Sequence, residues 1–375
     1  MANPATATRF DTRLRYGAHV WLFTLVFSTF LAEALALGLI LAWLWSRRFL
    51  RTPLDFFILL FLGLRLLAIA TAISPATSMH ALRKIPFILI YFPLAHVARH
   101  YGSNEIYKLL RTMVCASLMA SFIGLVRVLL TPVWRLASTT SGATTLAMFL
   151  AVSFVVALTL VLRNELQPAR AWLLGNMMLL LALAYTRCRA PWMATLLVSA
   201  FIARPLRRGL LVLAITALGM LLLVPGFGMR HAEILRWPPH LGDRPVIWKA
   251  GWELVQQRPL LGYGPESFAL LFHSRHELKD KRIDAWHNFA LQLLIESGMT
   301  GLTGFLALIA QAFLALHKGR SASALAGNAA TALCAGLSTL LLAGLFGGLI
   351  GDPLLDMLLW GLLGMISGMA AQARK

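Results

Sequence analysis

Charge is scarce in this sequence: only 13% of its 375 residues are Asp, Glu, Lys or Arg, against roughly a quarter in a soluble globule. That shortage excludes an ordinary water-soluble fold. The 59% hydrophobic content and mean hydropathy of +0.73 describe a chain solvated mostly by lipid. Acidic residues are the scarcer sign, 15 against 34 Lys+Arg. The net charge of +19 does not point to nucleic acid, because the basic residues come in small groups between apolar runs, as in proteins that fix their orientation in a membrane. Cysteine is also rare. Cys115, Cys188 and Cys334 lie in or beside apolar segments with no metal-ligand spacing, so they read as small packed residues and imply no disulfide framework. Asp-x-Asp pairs, metal-ligand clusters and Gly-rich phosphate loops are absent.

What the chain has in abundance is apolar runs. A spanning helix needs about 20 apolar residues to cross about 30 Å of hydrocarbon. Runs of that kind near 53–73, 84–98, 112–131, 144–162, 171–186, 190–203, 209–225, 288–317, 324–348 and 353–371 predict an all-α, polytopic membrane helix bundle. Arg9, Arg13 and Arg15 precede a further apolar stretch at 17–45. It exceeds the roughly 7–15 residues of a cleaved leader, so it is expected to stay as an anchor. It reads either as one long helix or as a pair broken near Glu33, which sets the count at about 11 or about 12 spans. Arg47/Arg48/Arg51, Arg99 with Lys108/Arg111, Arg163/Arg170, Arg204/Arg207/Arg208, Lys318/Arg320 and Arg374/Lys375 fall at every second boundary. They place those boundaries and the C-terminus in the cytoplasm, and on the paired-helix reading the N-terminus as well.

One segment breaks the pattern. Between an N-terminal bundle at 1–225 and C-terminal helices at 288–375 lies a polar insert, 226–287, which the same parity puts outside the cytoplasm. It holds seven of the 15 acidic residues (Glu233, Asp243, Glu253, Glu266, Glu277, Asp280, Asp284). Pro238-Pro239 interrupts it; Asp243 is placed to cap a helix running to about Gln257, and Pro265 to open another running to about Lys279. Trp237, Trp248, Trp252 and Trp286 suit a layer at the membrane interface.

Arg187 and Arg189, in Tyr185-Thr-Arg-Cys-Arg-Ala-Pro191, sit at the outer face, where basic residues are not expected. Charge between short, Pro-interrupted apolar segments marks a candidate site, snorkelling to the interface being the plainer alternative. A guanidinium suits phosphate oxygens. His287 opens the span that follows the insert, where a neutral imidazole is positioned either to accept a proton or to serve as an interface residue. Glu296 lies about 13 Å further along that helix and reads as a hydrogen-bonded structural group, with a proton relay as the alternative.

The segment Arg244-Pro-Val-Ile-Trp248-Lys-Ala-Gly-Trp-Glu-Leu-Val-Gln-Gln-Arg-Pro259-Leu-Leu-Gly262-Tyr-Gly264-Pro-Glu-Ser-Phe268, with His287-Asn288 and Gly298-Met-Thr-Gly301-Leu302, resembles the shared core of bacterial O-antigen ligases, O-antigen polymerases and O-oligosaccharyltransferases. His287 and Gly298 reproduce the ligases' His, ten residues, Gly spacing. Thr186-Arg-Cys-Arg189 is similar to the family's Thr-x-Ser-Arg element, although Met193 stands where the pattern has Leu. The resemblance implies an inner-membrane glycosyltransferase acting at the periplasmic face. Its donor would be a glycan on undecaprenyl pyrophosphate and its acceptor a sugar hydroxyl of lipid A-core, with membrane lipids around it and no metal, cofactor or nucleic acid. It further implies that His287 takes the acceptor proton and that Arg189 and Arg244, with Arg187 in a secondary role, hold the pyrophosphate. An O-antigen polymerase would use similar groups. A lipid-linked sugar transporter or flippase would instead rely on Glu33, Glu296, Asp352 and Asp356.

Overall fold

The computed structural model describes residues 9–46, 51–131, 135–137, 142–203, 244–273, 285–320 and 323–373. Among them the regular structure is helical, with no strand. The helices are α1 (Arg9–Thr24), α2 (Thr29–Trp45), α3 (Asp55–Ala70), α4 (Pro75–Tyr101), α5 (Ser103–Leu130), α6 (Ala143–Leu162), α7 (Ala169–Tyr185), α8 (Arg189–Ala203), α9 (Arg244–Gln257), α10 (Phe268–His273), α11 (Phe289–Gly319), α12 (Ala324–Gly344) and α13 (Pro353–Gln372).

Six of these, α4, α5, α6, α11, α12 and α13, are long and apolar enough to cross a membrane. α2, α7 and α8 are apolar but shorter. The chain is thus a polytopic helical membrane protein, though these six fall short of the expected total of about 12. The expected span at 209–225 lies outside the described residues. The apolar stretch at 17–45 forms a pair of helices, and the break falls at 25–28 instead of near Glu33. Ser28 fixes it there: its side chain accepts from the Leu31 N–H and caps α2.

α6 and α13 are buried on nearly every side and form the centre of the bundle. Lipid-facing groups such as Phe30, Trp45, Phe56, Leu129 and Phe201 stand exposed on its outside. Lipid gives helices no hydrophobic reason to associate, so close contact depends on small residues. α13 supplies them. A Cβ at Gly364 would lie 2.5 Å from the Tyr91 carbonyl oxygen, and one at Gly368 2.4 Å from that of Ala95, so these glycines set the backbone of α13 directly on α4. The buried Tyr91 hydroxyl secures the contact through Ser367 Oγ at 2.6 Å. Asp352 starts α13 by accepting from the Leu354 and Leu355 N–H groups.

At the opposite end of the bundle, Arg15 pairs with Glu105 at 2.6 Å and His96 with Asp11 at 3.0 Å, tying α1 to α5 and α4. Replacing Gly368 with Val is expected to wedge α13 from α4, at a cost of about 1–3 kcal/mol for overpacking. Thermal denaturation of the detergent-solubilised protein should show a melting point several degrees lower. Gly38→Ala, at a position with nothing within 4 Å, should leave it unchanged. Equal melting points for the two variants would contradict the contact.

Candidate functional site

The site is organised by a break in α11. Gly298 adopts φ 64°, ψ −167°, a region of backbone space open almost only to glycine. In an unbroken helix the N–H groups of Met299 and Thr300 would donate to the carbonyls of Ile295 and Glu296. Here the loop after α9 takes up all four groups. Tyr263 N–H donates to Ile295 O at 2.8 Å, Gly264 N–H to Glu296 O at 2.9 Å, Met299 N–H to Pro259 O at 2.7 Å and Thr300 N–H to Leu260 O at 3.3 Å. The two backbones nearly touch: a Cβ on Gly298 would lie 2.1 Å from Leu260 O, and one on Gly262 2.5 Å from Ile295 O. The glycines of the Pro-Leu-Leu-Gly-Tyr-Gly motif and the Gly that follows His287 after ten intervening residues are therefore two sides of one crossing.

The same loop reaches the N-terminal bundle. Ile73 N–H donates to Tyr263 O at 3.1 Å, Ser78 Oγ to Pro265 O at 2.8 Å, and Lys84 pairs with Glu266. Below it, Arg65 Nη1 donates to Glu296 Oε2 at 2.8 Å and to Ser297 Oγ at 3.1 Å, while Gln292 donates to Glu296 Oε1 at 2.9 Å. Glu296 is thus held as a hydrogen-bonded structural group. Its partner Arg65, inside the expected span 53–73, was open to notice as a charge at membrane depth.

α9 packs on the first half of α11 through Ile247, Ala250 and Leu254 against Trp286, Leu291 and Ile295. Gly251 permits this; a Cβ there would already meet Ile295 and Leu291 at 3.0 Å. Trp286 is fully buried in this cluster and Trp252 is mostly exposed. The expected interfacial layer of tryptophans is therefore divided between the core and the surface of the insert, and Trp237 lies outside the described residues. α9 ends at Gln257 as expected; its expected cap, Asp243, is also outside them. The second helix of the insert begins at Phe268, three residues after Pro265, and is described to His273.

His287 is fixed on both sides. Trp286 is buried and its carbonyl accepts from Trp248 Nε1 at 3.0 Å. Asn288 Oδ1 caps α11, accepting from Ala290 N–H at 3.0 Å and Leu291 N–H at 3.1 Å. Between them His287 has φ 51°, a left-handed conformation that a non-glycine residue holds only when its surroundings impose it. The ring is half-buried.

α7 reverses into α8 through Thr186, Arg187 and Cys188, with Arg187 at φ 56°. Thr186 Oγ1 donates to Leu183 O at 2.6 Å and accepts from Cys188 N–H at 3.3 Å. Arg135 clamps the turn: its Nε donates to Thr186 O at 2.6 Å and its Nη2 to Cys188 Sγ at 2.9 Å. The signal for Arg135 was present, because it is basic at an expected outer boundary, as Arg187 and Arg189 are. Arg189 and Arg244 are the first residues of α8 and α9, and the charge of Arg189 reaches Arg244. Burial, and after it the charge of Arg189, push the Arg244 guanidinium below its ordinary range, with Cys188 acting in the opposite sense. Each arginine opens a helix, and a helix N-terminus is a place suited to an anion. Arg244 is one helical turn from Trp248, which holds Trp286, so the arginines and His287 share one end of α9.

Residues 127–306 match the family model described as O-antigen ligase. The match, 180 of the 375 residues, supports membership of the O-antigen ligase family. Arg135, the Arg187–Arg189 turn, Arg244, His287 and the Gly298 crossing all fall within the matched residues. No curated protein matches the chain. Members of the O-antigen ligase family are glycosyltransferase-like membrane enzymes.

Gly298→Ala is expected to abolish the crossing, since the new side chain meets both a forbidden φ/ψ and the Leu260 carbonyl, at a cost of at least about 2 kcal/mol. Limited proteolysis should then cut the 258–267 loop readily. A loop as resistant as in the unaltered protein would show that the crossing does not hold it.

Proposed function

We propose that the protein is an O-antigen ligase of a bacterial inner membrane, transferring a glycan from undecaprenyl pyrophosphate to a sugar hydroxyl of lipid A-core at the periplasmic face. The observation that supports the reading is that Arg189 and Arg244 each open a helix, the charge of Arg189 reaching Arg244, and that Arg244 stands one turn from Trp248, which holds the residue before His287. The arginines hold the pyrophosphate of the donor, and Arg187 is placed as a secondary phosphate contact. His287, neutral, accepts the proton of the acceptor hydroxyl. The hydroxyl oxygen bonds to the anomeric carbon as that carbon's bond to the pyrophosphate oxygen breaks. The electron pair and the growing negative charge pass to the leaving pyrophosphate, where two guanidinium groups and two helix ends stabilise them without reorganising. A single displacement inverts the anomeric centre. The 226–287 insert covers the site, and confinement of both lipids to one membrane supplies proximity.

Three of the four carboxylates that a transporter would use are engaged in the fold. Glu296 pairs with Arg65, Asp352 caps α13, and Asp356 accepts from the Gly351 N–H.

His287→Ala, expressed in a strain lacking the protein, is expected to abolish glycan-capped lipopolysaccharide while polymerised glycan accumulates on its lipid carrier. Cores bearing a single repeat would assign the chain to polymerisation, and unaltered lipopolysaccharide at normal protein level would remove His287 from the chemistry. In a purified assay, Arg244→Gln should lower the transfer rate about 10²–10³-fold, the usual loss for one charge-stabilising donor. A rate within a factor of about two of the parent would contradict its role.

A further inference from the structure

Two cavities lie side by side where α5 ends. One, of about 90 Å3, is lined by Gly124, Arg127, Val128, Arg135, Leu136 and Ala137. The other, of about 50 Å3, shares Gly124, Arg127 and Ala137 and extends between Val26, Phe27, Ile123 and Leu146. Together they form one groove with two guanidinium groups at one end and apolar side chains along the rest. Among the described residues no acidic one lines it.

The local fold builds the groove. Leu136 is buried on Gly124, where a Cβ would already meet its side chain at 2.9 Å, and its N–H donates to Tyr185 O at 3.0 Å. This lays Arg135 back toward the end of α5, whose last turn carries Arg127. Phe122, Leu129 and Leu130 stand exposed on the adjoining face of α5. Both arginines lie at the end of the bundle that holds the Thr186–Arg189 turn, since Leu136 and Arg135 bond to Tyr185 and Thr186. Basic residues at that boundary run against the orientation pattern of the rest of the chain. Paired guanidinium groups match phosphate oxygens, and a basic pocket between spanning helices, continued by apolar surface, matches a phosphorylated lipid headgroup with its acyl chains.

We propose that this groove is the acceptor subsite: Arg127 and Arg135 hold phosphate groups of the lipid A moiety, and its acyl chains lie along the apolar floor and the exposed face of α5. The inference rests on the glycosyl-transfer reading above, which requires a second membrane lipid beside the one held at Arg189 and Arg244. Arg135 is common to the groove and to the turn that carries Arg189, so it positions the two lipids relative to each other.

The test measures binding without turnover, using the purified full chain in lipid nanodiscs, and in a separate reaction the transfer of glycan from its undecaprenyl pyrophosphate carrier to lipid A-core. The probes are lipid A-core, the same lipid A-core after enzymatic dephosphorylation, and undecaprenyl pyrophosphate. The parent protein should bind the phosphorylated acceptor about ten-fold or more tighter than the dephosphorylated one, the effect of one or two charge-assisted hydrogen bonds. Arg127→Gln should lose that preference and keep its affinity for undecaprenyl pyrophosphate; Arg127→Lys should retain part of the preference. A folded Arg127→Gln protein with its preference intact would overturn the proposal. So would loss of donor binding in place of acceptor binding, or equal competition by phosphatidylglycerol. Intact transfer with no preference for phosphate in the parent overturns the groove alone. The expected preference with no transfer to any lipid supports the groove and overturns the glycosyl-transfer reading.

Discussion

At Gly298 a membrane helix gives up two of its own hydrogen bonds, and a loop some forty residues earlier replaces them with four. Exposed backbone is costly wherever water is scarce, so the broken helix and the loop each need the other to be satisfied. The rest of the site follows from that exchange. The loop carries Tyr263, Pro265 and Glu266, which fasten the insert to α3 and α4, and it continues from α9, which lies on the first half of α11. Asn288 starts that half-helix and Gly298 ends it, so His287 has a set distance from the crossing. A ten-residue spacing between a histidine and a glycine becomes the length of one half-helix.

The second organising feature is how buried charge is met. Elsewhere in the bundle opposite charges meet: Arg65 with Glu296 and Arg15 with Glu105. Removing either partner would leave an uncompensated charge in a medium that tolerates it poorly. At the entrance to α8 and α9, the charge that acts on Arg244 is that of another arginine.

Much of this was legible in the sequence, and the gaps have physical causes. The helical class and most helix positions followed from apolar runs, because lipid requires every spanning segment to satisfy its backbone internally. The number of spans was less legible, since short apolar segments such as those beginning at Thr29, Ala169 and Arg189 fall between a spanning helix and a broken one. The break between α1 and α2 was misjudged by several residues because Glu33 drew attention as the one charge, whereas a serine cap at Ser28 sets the boundary. Arg189, Arg244 and His287 were singled out by motif; the first two open helices, and His287 precedes the Asn288 cap of a third. Arg135 and Arg65 were not, because their partners lie far away in sequence: Thr186 and Cys188 for the first, Glu296 for the second. The tryptophans of the insert showed the limit of composition, since Trp286 and Trp252 share a residue type and have opposite surroundings.

The most direct measurement is an electron cryomicroscopy map of the full chain bound to undecaprenyl pyrophosphate. The account predicts that the two phosphates lie between the guanidinium groups of Arg189 and Arg244, with the His287 ring facing the position of the absent sugar. Phosphate density at Arg127 and Arg135, or beside Arg65 and Glu296, with the space between Arg189 and Arg244 empty, would contradict it.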